Sequence, residues 1–145
     1  MAGLVFLGGT AANNPWRDGL IKRLAARGVP LECLVNPVVP DWNEAARIAE
    51  ENAKKAATVM FFCIADPRQE GNPLSAYSML EVTMALYDRP GVTAVVFDTT
   101  GMVGHPLKAM NQALRALKGR FPDANIFSSM QEAENWLVEK LASSV

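Results

Sequence analysis

The run from Thr58 to Ile64, Thr-Val-Met-Phe-Phe-Cys-Ile, carries no charge and no alternation of polar with apolar side chains. An unbroken apolar run of this kind reads as a strand buried on both faces, at the centre of a parallel sheet covered by helices on each side. That requirement limits the chain to architectures that wrap helices around a sheet.

The remaining segments fit. Strand-like runs at Leu4 to Leu7, Leu31 to Val35, Val92 to Phe97 and Asn125 to Phe127 alternate with helical segments. The helices are expected at about Trp16 to Arg27, Trp42 to Ala57, Ser75 to Asp88, Pro106 to Leu117 and Met130 to Leu141. Gly8-Gly9-Thr10, Gly28-Val29-Pro30, Asn36-Pro37 and Arg89-Pro90-Gly91 punctuate them. Pro15 suits a first helical turn with Asn14 as cap, and Asp41 followed by Glu44 has the form of a capping box. Five strands alternating with five helices predict a single α/β domain over residues 1–145. The spacing favours a flavodoxin-like, doubly wound five-stranded parallel sheet of order 2-1-3-4-5 in a three-layer α/β/α arrangement. Ligands of such sheets bind at the carboxyl ends of the strands, at the switch between the first and third. The loops there are Gly8 to Pro15, Asn36 to Asp41, Asp66 to Asn72 and Asp98 to His105, and they hold most of the polar residues that regular structure does not explain.

Composition narrows the partners. A chain of 145 residues, half hydrophobic and a fifth charged, can bury a core without disulfide or metal staples. A net charge of −1 supplies no basic field, so nucleic acid is not an expected partner. No apolar run nears the roughly 20 residues of a membrane span, so no membrane partner is expected, and the first apolar run lacks the basic flank of a signal peptide. Cys33 and Cys63 sit in apolar runs without metal-ligand spacing, as buried thiols of a reducing compartment do. A cytoplasmic protein without a metal is expected.

The chemistry is expected on the helix from Ser75 to Asp88. Glu81 sits in its middle among Met79, Leu80, Val82, Met84, Ala85 and Leu86. A carboxylate on a helix that is apolar on nearly every side loses hydration, which a partner or a function has to offset. Ser78 lies one turn before Glu81 on the same face, and Ser75 lies near the helix start. The helix thus offers hydroxyls and free N–H groups at its mouth and a carboxylate further in. The alternative is a Glu81 that pairs with an Arg or reaches solvent.

Several common α/β chemistries are missing. Gly8-Gly9-Thr10-Ala11-Ala12-Asn13 is not a dinucleotide fingerprint, no Gly-Lys-Ser/Thr follows a strand, and no Gly-x-Ser-x-Gly elbow occurs. The acidic pair of a phosphoacceptor domain is also absent after the first strand. His105, before a Pro at a helix start, reads as a loop or capping residue. A carboxylate site remains, with Glu81 as nucleophile and Asp66 as acid or ligand-orienting group. That arrangement cleaves the bond between a sugar and its leaving group through an oxocarbenium-like state. Gly8 and Gly9 either let the backbone approach a sugar or make a tight turn. Trp16 and Trp42 either stack on a base or join the core. Arg17 either holds a phosphate or pairs with Glu81. Thr10, Asn36 and Asp98, in the same loops, complete the candidate substrate-binding set with Ser75 and Ser78.

Phe6-Leu7-Gly8-Gly9-Thr10 followed by Trp16-Arg17, then Asn36-Pro37, Asp41-Trp42, a strand ending at Asp66 and Ser78-x-x-Glu81 in a helix, resembles the nucleoside 2-deoxyribosyltransferase-like superfamily. It is most similar to the divergent branch with Gly-Gly-Thr and Trp-Arg after the first strand, over roughly the first ninety residues. The resemblance implies an enzyme that exchanges or hydrolyses the N-glycosidic bond of 2′-deoxynucleosides or their 5′-monophosphates, without metal or organic cofactor. It implies Glu81 as the nucleophile on C1′ and Asp66 as a base-binding or proton-donating residue. Relatives usually carry an Asp six residues before the nucleophile and a Gly-Thr four and three before it; Ser75, Tyr77 and Ser78 stand there. Ser75 is similar to the deoxynucleoside-monophosphate hydrolase branch, where a Ser at that point contacts the 5′-phosphate, as suits a helix N-terminus. The Tyr that relatives often carry near the first strand is replaced by Gly8 and Gly9.

The expected function is therefore 2-deoxyribosyl transfer or hydrolysis at an N-glycosidic bond of a small nucleoside or nucleotide. The alternatives are a non-catalytic nucleotide- or nucleotide-sugar-binding module, and an interaction protein in which Glu81 is a structural ion pair. Met79, Met84 and Tyr87, beyond one helix face, predict a homo-oligomer, dimer or higher, and relatives commonly complete each site from a neighbouring subunit.

Overall fold

Val59–Ala65 forms β3, a strand buried along its whole length. It pairs in parallel with β1 (Val5–Gly9) on one side and β4 (Thr93–Asp98) on the other. The short strands β2 (Leu34–Val35) and β5 (Asn125–Phe127) flank them, giving a five-stranded parallel sheet of order 2-1-3-4-5. The computed structural model describes residues 3–10, 15–65 and 76–143. The candidate cap Asn14 and the candidate site residues Asp66 and Ser75 lie outside the described residues.

Strand side chains alternate between the faces of the sheet. On one face Val5, Leu7, Phe61, Cys63 and Val96 meet Leu20 and Leu24 of α1 (Trp16–Ala26) and Leu137 and Leu141 of α5 (Met130–Ala142). On the other, Phe6, Phe62, Ile64, Val95 and Phe97 meet Val82 and Leu86 of α3 (Ala76–Asp88) and Met110 and Leu117 of α4 (Gly104–Arg120). The result is the flavodoxin-like three-layer fold expected from the strand spacing. α2 (Glu44–Ala56) joins the second layer through Ala53, yet none of its residues is fully buried. Polar contacts hold it instead. Arg89 donates from Nη1 to the Ala57 carbonyl at 2.7 Å and from Nη2 to the Lys54 carbonyl at 2.8 Å. A cation there satisfies open carbonyls at a helix end whose dipole favours positive charge.

Several element boundaries differ from the sequence expectation. Leu31–Cys33 is a 3₁₀ turn closed by Cys33 N–H on the Pro30 carbonyl at 3.1 Å, and only Leu34–Val35 pairs with β1. The strand is at the sheet edge with one neighbour to extend it, and the local turn buries the Cys33 thiol. At α2, Asn43 Oδ1 accepts from Ala46 N–H at 2.8 Å and takes the capping place expected of Asp41. Glu44 becomes the first helical residue, pairs with Arg47 at 2.6 Å and closes no capping box, while Trp42 stays outside the helix, exposed. α4 starts at Gly104, so Pro106 lies in its first turn, where a missing N–H leaves nothing unpaired, and His105 is exposed beside it.

Candidate active site

β1 ends in two glycines that the packing demands. A Cβ on Gly8 would overlap the rings of Phe62 and Phe6. One on Gly9, whose φ is +118°, would run into the Cys63 backbone. Close approach of β1 to β3 therefore accounts for both glycines, and their bare backbone faces a cleft. Thr10 continues the pairing with its side chain: Oγ1 donates to the Ala65 carbonyl at 3.0 Å and accepts from Ala65 N–H at 2.9 Å. Thr10 thus ties strand ends together.

Arg17, buried at the start of α1, is committed to the same loop. Nε donates to the Leu7 carbonyl at 2.9 Å, Nη1 to Thr10 at 2.8 Å and Nη2 to Gly9 at 3.1 Å. Burial lowers its pKa to about 10, against the opposing pull of nearby negative groups including Glu81 and Glu50. The Arg17–Glu81 pair that the sequence allowed does not form; Arg17 holds the turn after β1.

Beside this turn lies a cavity of about 540 Å³ at the carboxyl end of β1. Gly8, Gly9, Arg17, Pro37, Val38, Val39, Trp42, Arg47, Glu50, Tyr77, Ser78 and Glu81 line it. One wall is apolar, set by the turn after β2, where Asn36 Oδ1 accepts from Val38 N–H at 3.1 Å. Asn36 shapes that turn from outside the lining. Trp42, 57% exposed, offers an indole face. Ser78 and Glu81, one turn apart on α3, are both buried.

Glu81 has a partner, and it comes from α2. Lys54 Nζ lies 2.6 Å from Glu81 Oε2, 3.1 Å from Glu51 Oε1 and 3.9 Å from Glu50 Oε2. It also donates to the Tyr77 hydroxyl at 3.2 Å. Burial pulls the Lys54 pKa down, but the Glu81 carboxylate and the Tyr77 hydroxyl outweigh it and leave it raised. Glu50 carries a raised pKa, chiefly from burial, with Lys54 opposing and the Glu81 charge adding to it.

No protein-family model, curated protein or solved structure matches this chain. Among the described residues no group of three or more His, Cys, Asp or Glu is placed to hold a metal ion. Nor is any helix among them long and apolar enough to cross a membrane.

Of the residues expected at the site, Gly8, Gly9, Arg17, Trp42, Ser78 and Glu81 come together in this cavity. Trp16 and Asp98 do not. They line a second concavity with Pro15, Gly19, Arg23 and Glu134. Trp16 Nε1 donates to the Thr10 carbonyl at 2.7 Å and its ring rests on Phe61, as the core reading of this residue requires. Asp98 Oδ1 accepts from Thr100 N–H at 3.0 Å and closes the loop after β4. The residues the sequence reading missed are Arg47, Glu50 and Lys54. In sequence, Arg47 and Lys54 belong to a charged helix face with Glu44, Glu51 and Lys55, which reads most simply as solvated. The spacing of Arg47, Glu50 and Lys54, three and then four residues, puts all three on one stripe, a regularity that a solvated face shares.

Proposed function

We propose that the chain cleaves the N-glycosidic bond of a deoxynucleoside or its 5′-monophosphate, by 2-deoxyribosyl transfer or hydrolysis, with Glu81 as the nucleophile on C1′. One observation carries the reading: a carboxylate 93% buried is held at a cavity whose other surfaces suit a nucleoside. Trp42 and the wall Pro37 to Val39 supply the flat, apolar contact a base takes. Gly8 and Gly9 supply backbone that a sugar can approach. The ammonium of Lys54, 2.6 Å away, holds the Glu81 side chain at the cavity. Ser78 adds a hydroxyl beside it.

Association with a second copy belongs to the same reading. Tyr77, Leu80, Met84 and Tyr87 are each more than half exposed and form a stripe along α3 with spacings of three, four and three. Met79, expected on that surface, is instead partly buried against the core on that side of the sheet. A stripe this apolar fits a helix-to-helix contact.

A second reading, a binding module without turnover, draws on the same ion pair, because Lys54 also occupies the carboxylate that would have to attack. Incubation with pooled deoxynucleosides and their 5′-monophosphates, with and without an added free base, separates the two. New nucleosides identify a transferase and free base alone a hydrolase, each abolished in Glu81→Gln. Saturable binding with no base released, equal in Glu81→Gln, would instead identify the module.

A further inference from the structure

Within the reading of Glu81 as nucleophile, on which this inference rests, a second group has to manage the proton of the departing base. Glu50 stands on α2 one turn from Lys54 and lines the same cavity as Glu81 and Trp42. Its Oε2, like that of Glu81, is buried without a hydrogen-bond partner, so the distance to the nearest cation separates the two. A single ammonium serves three carboxylates, and it lies 2.6 Å from Glu81 but 3.9 Å from Glu50. Glu81 therefore has the first claim on the charge, and Glu50 is the member left incompletely compensated.

We propose that Glu50 is the proton donor to the leaving base and the proton acceptor for the water that completes the reaction. In the first half, the Glu81 carboxylate bonds to C1′, the C1′–N bond breaks, and its electron pair leaves with the base nitrogen, which takes the Glu50 proton. In the second half, water bonds to C1′ and yields a proton to the Glu50 carboxylate, while the C1′–O bond to Glu81 breaks. Both glutamates return to their starting forms, and no co-reactant besides water is consumed. The surroundings agree: burial raises the Glu50 pKa, Glu81 and Glu51 add to the effect, and Lys54 and Arg17 only partly oppose it. Arg47 is occupied with Glu44, and Tyr77, across the cavity mouth on α3, accepts from Lys54. Two carboxyl groups at one cavity, one in contact with a cation and the other 3.9 Å from it, suit the acid and nucleophile pair of glycosidic cleavage.

The test compares base release from 2′-deoxyuridine with 5-fluoro-2′-deoxyuridine, and from 2′-deoxyadenosine with 2-fluoro-2′-deoxyadenosine, each also as its 5′-monophosphate. A halogen lets the base depart with less need of a proton. Glu50→Gln is expected to slow the parent compounds by roughly 10²- to 10⁴-fold, the span of general acid catalysis. The fluorinated compounds should lose much less, and the fall in rate at high pH shown by the unsubstituted enzyme should vanish. Glu50→Asp, which keeps a protonatable carboxyl, should regain part of the parent rate. Equal losses on parent and fluorinated compounds, or no loss, would overturn the assignment of Glu50 and leave Glu81 standing. Absence of base release by the unsubstituted enzyme from every compound would remove both.

Discussion

Lys54 Nζ on α2 lies 2.6 Å from Glu81 Oε2 on α3, with both side chains largely buried. The contact joins a helix that has no fully buried residue to one packed on the central strands. It therefore does two things. It docks α2, and it sets the charge at the head of the cavity. Because the same ammonium also reaches Glu50 and Glu51, its removal acts on three carboxylates at once.

Lys54→Met leaves the Glu81 carboxylate buried without its cation. Breaking a buried pair from one side costs about 3 to 5 kcal/mol, so urea unfolding should show a loss near the lower end, given the partial exposure of Lys54. Replacing both partners, Lys54→Met with Glu81→Gln, should recover most of it, because no uncompensated charge remains. The raised Lys54 pKa gives the sign with pH. Its contribution is complete below the ordinary lysine value of 10.5 and is lost as pH rises through the folded value. Equal losses in the single and double variants would show that the charges are not coupled.

Glu50 behaves in the opposite sense at neutral pH. Its pKa is raised above 4.5, so the fold favours the protonated form. That stabilisation is present below the unfolded value and is lost as pH rises through the folded one. Glu50→Gln, permanently neutral, should therefore melt higher than the parent at pH 7 and show no such gain at pH 4. Melting curves at the two pH values check this, and a gain independent of pH would exclude the charge as its cause.

The fold was legible because Val59–Ala65 is apolar on both faces and because turn residues mark every crossover. Glu81 was legible for the converse reason, a charge in an apolar helix. The stripe Arg47, Glu50 and Lys54 was not. A periodic charged face looks the same in sequence whether it meets solvent or a cleft, and which it meets depends on how α2 docks. The caps at Asp41 and Asn43 are chemically equivalent, so only the chain path chooses between them. Trp16 and Trp42 also look alike as aromatics ahead of helices, yet one packs on Phe61 and the other faces the cavity.

Gly9→Ala tests whether the cleft depends on the tight approach of β1 to β3. The position has φ +118°, and a Cβ would strike the Cys63 backbone. Strained backbone of this kind costs of order 1–3 kcal/mol before any clash is counted. A lowered urea midpoint is expected, with loss of ligand binding even where the protein still folds. A variant as stable as the parent would mean that the end of β1 relaxes without penalty.

Leu80→Glu with Met84→Glu puts like charges on the exposed stripe of α3. If the stripe joins two copies, sedimentation should show the parent as a dimer and the double variant as a monomer, with helical content unchanged. A parent that sediments as a monomer at high concentration would assign the stripe to some other contact.

Trp42 provides the remaining handle, since its indole is 57% exposed at the cavity. Stacking of a base on an aromatic side chain contributes about 1–3 kcal/mol. Trp42→Ala should therefore raise the KM for a nucleoside roughly 10-fold or more, with a smaller change in kcat, because the contact exists in both the ground and transition states. Tryptophan fluorescence of the parent should be quenched by added deoxynucleoside and that quenching lost in the variant. An unchanged KM with quenching intact would move the base away from Trp42 and leave the apolar turn Pro37 to Val39 as the surface that receives it.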